Sequence, residues 1–403
     1  MTLLPVPDMI APFSIARLPR IEFGAGTLGK LPDIAGGYGT RLLLVTGQSS
    51  FATSTGGAWL VETFRAQGFA WEHVRVSEEP SPQLVDGVVA QFRHERFDVV
   101  VGIGGGSALD AAKAIAGLLR PGNSVMDHLE GVGPERPYRG PATPFIAVPT
   151  TAGTGSEATK NAVLSVHGEA GFKKSFRDDR LVAQWAILDP DLLAACPPSL
   201  IAANGMDAFT QLLESFVSIR ANPMTDALAR SGIEAVRDGL LDWYAGGARA
   251  AQGRSRMAYA SLVSGICLAQ TGLGSVHGLA APLGAFFPIP HGVACGTLVG
   301  AATRVNIEAI ARRDPQSAAL PKYAEVGRCL GMQEAIAAEA ARALLVTVLA
   351  DWQDQLDLPR LAGFGIAPHD VPRIVAASRG SSMKTNPVVL TDAEVAEIVT
   401  SRL

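Results

Sequence analysis

Short apolar runs alternate with amphipathic segments over the first 195 residues of the chain. The runs at 41–47, 97–103 and 144–149 are rich in valine, isoleucine and leucine, and each ends in a turn of glycine or hydroxyl residues. Such runs are typical of parallel strands that are buried on both faces. Amphipathic helices are expected between them, at 58–67 and 84–93. This alternation predicts an α/β domain with a parallel sheet, whose ligands bind at the carboxyl ends of the strands.

The pattern changes after residue 195, where no convincing strand follows. Helical periodicity instead recurs in six segments, at 198–219, 223–244, 248–270, 321–330, 334–355 and 392–402. Such periodicity is typical of helices with one buried face. The sequence therefore predicts two domains, an α/β domain at 1–195 and an all-helical domain at 196–403.

The most apolar stretch of the chain runs from Met257 to Thr303 and contains no Asp, Glu, Lys or Arg. Its prolines and glycines interrupt the roughly 20 consecutive apolar residues that a membrane-spanning helix needs. We therefore expect the stretch to form the floor of a core, with His277 and His291 pointing into it. A single buried histidine is usually a satisfied core residue, but two of them, each next to a glycine, need a joint explanation.

Composition and charge exclude several classes of function. The 403 residues are enough for two domains of ordinary size, and 48% hydrophobic against 18% charged residues excludes a disordered chain. A formal net charge of -4 gives no electrostatic reason to expect nucleic acid or a membrane surface as a partner. The four cysteines lack CxxC spacing, and residues 1–20 lack the pattern of a secretory signal. We therefore expect a cytoplasmic protein with reduced thiols.

Two loops at the ends of predicted strands are candidates for a nucleotide site. The first, at 104–107, lies between a strand and a helix, where backbone N–H groups converge and the helix dipole favours an anion. The second, at 150–156, carries four hydroxyls. Neither GxGxxG nor GxxxxGK[ST] spacing is present, so an ordinary turn is the alternative for each loop. Together the loops predict a dinucleotide, with these candidate contacts: Gly105, Gly106, Ser107, Asp110, Thr150, Thr151 and Thr154.

The loop after an earlier strand bears on the choice between NAD and NADP. It runs from Thr46 to Ser50 and has no acidic residue. A carboxylate in this position would bind the adenosine ribose hydroxyls and repel a 2′-phosphate. Small neutral groups therefore favour NADP, and we interpret Gly47 and Ser50 as further candidate contacts of the cofactor.

Four side chains of the second half are candidate metal ligands. Asp207 and Gln211 are four residues apart in a predicted helix, so both project from one face. Asp207 by itself could be an ordinary residue near the start of a helix. With His277 and His291, these side chains supply the oxygen and nitrogen donors that a divalent cation with one open position requires. We interpret the four as a site for Fe(II) or Zn(II).

The order of these motifs resembles that of the iron-containing alcohol dehydrogenases, also called the group III or metal-dependent alcohol dehydrogenases. The similarity extends over essentially the whole chain. The matching segments are Gly105-Gly106-Ser107-x-x-Asp110, Pro149-Thr150-Thr151-Ala152-Gly153-Thr154, Asp189-Pro190, Gly205-Met206-Asp207-Ala208, His277-Gly278 and Pro290-His291-Gly292.

The resemblance implies a dehydroquinate synthase-like architecture, with a Rossmann-like dinucleotide-binding domain followed by a helical domain. It also implies a homodimer that transfers a hydride between NAD(P) and a small alcohol or aldehyde. A metal in the cleft between the domains would polarise the substrate oxygen. Asp207, His277 and His291 would then be the catalytic residues. Lys173 matches a lysine that faces the cofactor in relatives.

Two positions depart from the pattern of the family. Where relatives carry a histidine four residues after the aspartate, this chain has Gln211, a poorer ligand for iron or zinc. Where relatives carry a proton-shuttling histidine four residues after the one matching His277, this chain has Ala281. Two alternatives therefore stay open. One is a metal-independent reductase similar to maleylacetate reductase, against which the charge-free stretch argues; the other is a catalytically silent dinucleotide-binding protein.

Overall fold

A computed structural model describes residues 10–48, 51, 55–168 and 171–403 of the chain. Contacts between Cα atoms divide these residues into two compact units. One contains 16–166 and 171–196, and the other contains 197–403 together with 10–15 and 167–168. Ser50, one of the candidate cofactor contacts, lies outside the described residues.

A six-stranded parallel sheet forms the centre of the α/β unit. Its strands are β1 (Arg20–Phe23), β2 (Arg41–Gly47), β3 (Ala70–Val76), β4 (Val99–Gly104), β5 (Phe145–Pro149) and β8 (Trp185–Leu188). They lie in the order β1-β8-β5-β4-β2-β3, and every neighbouring pair is parallel. The predicted parallel sheet is confirmed.

The helices of this unit cover both faces of the sheet. They are α1 (Leu31–Gly36), α2 (Thr55–Ala66), α3 (Pro82–Gln91) and α4 (Gly106–Leu118). Successive side chains of a strand point to opposite faces, so β2 contributes to two cores. Leu43 packs in the cluster that includes α3 and α4, whereas Leu42 packs in the cluster that includes α1 and α2. Burial on both faces explains why β2 and β4 are apolar runs without alternation.

A small antiparallel pair, β6 (Asn161–Val166) and β7 (Phe172–Arg177), was not predicted from the sequence. Both strands are only partly buried, and β7 carries three basic residues among its six. Neither strand therefore has the continuous apolar character by which the sheet strands were recognised.

The second unit contains helices and loops, and none of its described residues forms a strand. Its helices are α5 (Pro198–Val217), α6 (Pro223–Ala245), α7 (Ala250–Thr271), α8 (Ser275–Phe286), α9 (His291–Arg313), α10 (Ala319–Gly331), α11 (Ala338–Gln355), α12 (Val371–Ala377) and α13 (Asp392–Thr400). The predicted all-helical domain is confirmed. No single helix among the described residues is long and apolar enough to cross a membrane. The segments Gly247–Thr271 and Ser275–Phe286 meet the length and composition test only as a pair, bent by 101°.

Helices α8 and α9 were not predicted, because prolines and glycines interrupt the charge-free stretch that contains α8 and the first half of α9. Pro282 lies inside α8. The glycines of α9 are packing sites: an added Cβ would lie 2.6 Å from the carbonyl oxygen of Ala203 at Gly292, and 2.9 Å from Cβ of Met206 at Gly296. The glycines therefore let α9 approach the backbone of α5 closely.

Candidate active site

Four side chains on three helices converge within the helical unit. Asp207 lies on α5, and His277 is the third residue of α8. His291 begins α9, and Cys295 follows it by about one turn. The ligating atoms of these residues all lie within 4.8 Å of one another, and we call the four residues the donor cluster.

The carboxylate of Asp207 is the centre of the donor cluster. Its Oδ1 lies 3.2 Å from Nε2 of His277 and 3.8 Å from Nε2 of His291. The Sγ of Cys295 lies 3.6 Å and 3.7 Å from the same two nitrogens. Asp207 and Cys295 are buried, whereas 26% of the His291 side chain is exposed. The donor cluster is therefore accessible on its His291 side.

Burial and mutual proximity shift the protonation of the donor cluster. Burial alone would raise the pKa of Asp207, but the neighbouring His291 and His277 hold that pKa below its usual value. Burial disfavours the charged form of His277, yet Cys295 and the carboxylates of Asp207 and Glu214 raise the pKa of this ring well above its usual value. Burial raises the pKa of the Cys295 thiol to about 12. One carboxylate, two imidazoles and one thiol are together an oxygen, nitrogen and sulfur donor set that suits a divalent transition metal.

Gln211 shares the face of α5 that carries Asp207, and its side-chain oxygen accepts a hydrogen bond from the Ser264 hydroxyl on α7, at 2.8 Å. As a metal ligand Gln211 stays a prediction. Cys295, in contrast, was missed in the sequence. The signal that could have found it is the spacing of four residues from His291, which places two donors on one face of a helix.

In the α/β unit, the two candidate nucleotide loops pack against each other. Helix α4 begins at Gly106, and no side chain caps its N-terminus. An added Cβ would lie 3.3 Å from the Thr151 side chain at Gly105, and 2.7 Å from that of Thr154 at Gly106. Glycine at both positions therefore lets the second loop approach the N-terminus of α4, and the approach is closest at Gly106. The first-turn N–H groups of α4, including that of Ser107, have the arrangement that binds phosphate in nucleotide sites.

Asp110 lies beyond the first turn of α4, and both of its carboxylate oxygens accept hydrogen bonds from the protein. The Ser156 hydroxyl donates to Oδ1 at 2.5 Å, and the Val163 N–H donates to Oδ2 at 3.1 Å. The fully buried Lys113 donates to the carbonyl oxygen of Ser156 at 2.8 Å. Burial raises the pKa of Asp110 and lowers that of Lys113. This buried pair anchors the end of the hydroxyl-rich loop.

Three other residues that were predicted to contact the cofactor, Lys173, Thr150 and Gly47, differ in their neighbours. Lys173 on β7 donates to Oε1 of Glu79 at 2.5 Å, and the hydroxyl of its cross-strand neighbour Ser165 donates to Oε2 of the same carboxylate at 2.5 Å. Thr150 donates its N–H to the carbonyl oxygen of Gly104 at 2.9 Å. Gly47 ends β2, and an added Cβ there would meet no atom of the described residues within 4 Å.

These features define a class of protein. A parallel α/β unit with a glycine loop at a helix start, and a helical unit with clustered carboxylate, imidazole and thiol groups, are the parts of a metal-binding oxidoreductase that uses a nicotinamide dinucleotide.

Comparison with known proteins narrows this class to a family. Residues 19–190 match the family described as iron-containing alcohol dehydrogenase, and residues 201–403 match the C-terminal part of the Fe-containing alcohol dehydrogenase family. The lactaldehyde reductase of Escherichia coli K12 is 32% identical over 361 residues, which cover 88% of this chain and 90% of that protein.

Solved structures show the same similarity. An archaeal halo-thermophilic alcohol dehydrogenase from a Red Sea brine pool superposes with a TM-score of 0.88 and 28% identity, covering 98% of this chain and 100% of that one. The sulfoacetaldehyde reductase of Bifidobacterium kashiwanohense, in complex with NAD+, superposes with a TM-score of 0.82 and 26% identity, covering 97% and 99%.

The chain therefore belongs to the iron-containing alcohol dehydrogenase family. It is an oxidoreductase that interconverts alcohols and aldehydes, and it carries a metal-binding group of aspartate, two histidines and cysteine. The family implies NAD(P) and a divalent metal.

Proposed function

We propose that this protein is an NADP-preferring dehydrogenase of a small, uncharged alcohol, and a reductase of the corresponding aldehyde or ketone. It would act as a cytoplasmic homodimer, with residues 1–195 binding the dinucleotide and 196–403 binding metal and substrate. The observation that carries the proposal is the convergence of four donor atoms of different chemistry within 4.8 Å. Burying a carboxylate costs several kcal/mol unless it is paired, and here His277 and His291 stabilise the charged form of Asp207 that a metal would need.

The donor cluster fits a divalent metal in number and in kind of donor. Asp207, His277, His291 and Cys295 would hold the ion, which when bound supplies a Lewis acid for the alcohol oxygen. A sulfur donor favours Zn(II) over Fe(II), because thiolate is a soft ligand. We assign the fourth position to Cys295, since the Gln211 oxygen accepts from Ser264. The partial exposure of His291 makes its side of the donor cluster the side from which a substrate oxygen arrives.

The α/β unit would hold the dinucleotide by its phosphates. The N–H groups of Gly105, Gly106 and Ser107 point out of the start of α4 and favour the pyrophosphate. The proposed side-chain contacts are Asp110, Thr150, Thr151, Thr154 and Lys173. Within the described ranges no side chain fills the space beside Gly47, and the sequence 46–50 has no carboxylate that would repel a 2′-phosphate.

A metal-exchange assay tests this function. The purified protein is stripped with a chelator, dialysed, and assayed on a panel of short alcohols and aldehydes with NADPH or NADH, before and after addition of Zn(II) or Fe(II). We expect activity to be lost on stripping, to return most fully with Zn(II), and to be higher with NADPH. Full activity in stripped protein would instead favour a metal-independent keto-acid reductase. Nucleotide binding without turnover of any substrate would indicate a silent binding protein.

A further inference from the structure

Glu214 links the helix that carries Asp207 to the helix that carries His277. It lies on α5, seven residues after Asp207, so the two carboxylates project from the same side of the helix two turns apart. Its side chain is buried, with 7% exposed. Its two oxygens bind two different groups of α8: Oε1 accepts from the N–H of Val276 at 2.7 Å, and Oε2 lies 2.7 Å from Nδ1 of His277.

The contact with the ring determines which nitrogen keeps its proton when the ring is neutral. A carboxylate can only accept hydrogen bonds, so Glu214 holds the proton on Nδ1 of His277. Nε2 lies 3.2 Å from the Asp207 carboxylate and 3.6 Å from Cys295, and it is therefore the nitrogen that would give up its proton and offer a lone pair to a metal. We propose that Glu214 is a positioning residue that fixes the tautomer and orientation of His277 for metal binding. This inference rests on the metal site proposed above.

The contact with the backbone makes the arrangement rigid. The first N–H groups of a helix have no partner within the helix, and in α8 two of them are bound from outside. Val276 donates to Glu214, and Ser275 donates to Oδ1 of Asn386 at 3.0 Å. An added Cβ at Gly274 would lie 2.8 Å from both acceptor oxygens. Glycine is therefore needed at position 274. The Glu214 carboxylate holds both the start of α8, through Val276, and the ring of His277, the third residue of that helix.

Glutamine at position 214 cannot reproduce both contacts, although its size and shape are the same. Its amide has one acceptor oxygen and one NH2 donor, whereas Val276 and His277 present two donors. If the oxygen faces Val276, the NH2 faces Nδ1, and the ring proton must move to Nε2, where a metal would bind. If the oxygen faces Nδ1, two donors meet at Val276. With the glutamine oxygen facing Val276, the start of α8 keeps its hydrogen bond, but the His277 ring loses the tautomer that can bind a metal.

The experiment compares Glu214→Gln with the wild type and with Asn386→Ala. Asn386→Ala removes the hydrogen bond to the N–H of Ser275 at the start of α8 and does not change the contacts of the His277 ring. It therefore controls for a weaker helix start. Zinc affinity is measured by competition with a chromophoric chelator, and thermal unfolding of the metal-free proteins is measured in parallel. We expect zinc affinity to fall roughly 10- to 100-fold in Glu214→Gln, the usual effect of losing a partner of a ligating histidine. Asn386→Ala should unfold at a lower temperature and keep its zinc affinity within a few-fold.

The outcomes separate this role from the metal site itself. If the wild type binds neither Zn(II) nor Fe(II), the metal site is wrong and the role of Glu214 with it. If the wild type and Glu214→Gln bind zinc equally, only the role of Glu214 is overturned. Should the glutamine variant fail to fold, nitrogen NMR of histidine-labelled, zinc-loaded wild type decides: coordination through Nε2 of His277 supports the role, and coordination through Nδ1 overturns it.

Discussion

Cys295 is the member of the donor cluster that was not predicted from the sequence, and its place in the cluster can be tested by a single-atom change. In Cys295→Ser a hydroxyl replaces the sulfur, and a hydroxyl is a weaker ligand for zinc than a thiolate. We expect zinc affinity to fall by at least about 10-fold, which corresponds to about 1.4 kcal/mol. Equilibrium competition for zinc measures the change.

The matched control for that substitution is Cys267→Ser, on α7. Cys267 is also a buried thiol, and burial raises its pKa to about 12, but its sulfur lies 3.6 Å from the carbonyl oxygen of Thr225. The substitution Cys267→Ser should therefore leave zinc affinity unchanged. Equal zinc binding by Cys295→Ser and the wild type would remove the sulfur from the ligand set.

Cofactor preference is a second question at the scale of one residue. Gly47 ends β2, and no atom of the described part of the chain lies within 4 Å of an added Cβ, so we expect Gly47→Asp to fold. A carboxylate there would repel a 2′-phosphate and accept from ribose hydroxyls. We expect the ratio of kcat/KM for NADPH to that for NADH to fall at least about 10-fold, equivalent to about 1.4 kcal/mol. Gly47→Asn, which is similar in size and uncharged, is the control; a loss of the same size in both variants would point to shape rather than charge.

Single residues also show how far the sequence could be interpreted. Asp207, His277 and His291 were selected as donors because each stood out chemically, and the structure brings them together. Cys295 was considered only for spacing to other cysteines, and its partner is a histidine one helical turn away. A motif defined by helical period can be found only when the helix itself has been recognised.

At the scale of elements, the hydroxyl-rich loop ends in a buried carboxyl that makes stability depend on pH. Glu157 is 2% exposed, and burial raises its pKa to about 7, while Lys113 lowers and Asp110 raises that pKa by smaller amounts. Because the folded state holds this proton more tightly than the unfolded state, the free energy of unfolding should decrease as pH rises from about 4.5 to about 7. The full change would be about 3 kcal/mol.

Glu157→Gln tests this contribution, because glutamine is neutral at every pH. Denaturant unfolding of the wild type and the variant is compared from pH 5 to pH 8. The stability of the variant relative to the wild type should increase with pH over the interval below 7 and then level off. A constant difference between the two proteins across the range would show that folding does not raise the pKa of Glu157.

Elements were predicted well where one pattern dominated and poorly where two patterns competed. The valine-rich strands and the long amphipathic helices were recognised by period and length. In α8 and α9, proline and glycine counted against a helix, although the glycines serve the close approach of α9 to α5. Glycine is required there because α5 and α9 pack closely, and the sequence of α9 alone does not show which helix it packs against.

For the whole molecule, the order of motifs was sufficient to predict the architecture, an α/β unit followed by a helical unit, and the family. The network that supports the site could not be predicted in the same way. Glu214 is 63 residues from His277, and Asn386 is 111 residues from Ser275. These pairs form because α5, α8 and the C-terminal segment pack together. No local sequence pattern indicates which distant residues will meet.

The two candidate sites lie in different units of the chain, and this separation has a consequence for the metal-free protein. The candidate nucleotide loops belong to one unit and all four members of the donor cluster belong to the other. If both proposed sites are correct, protein stripped of metal should still bind the dinucleotide although it has lost its activity.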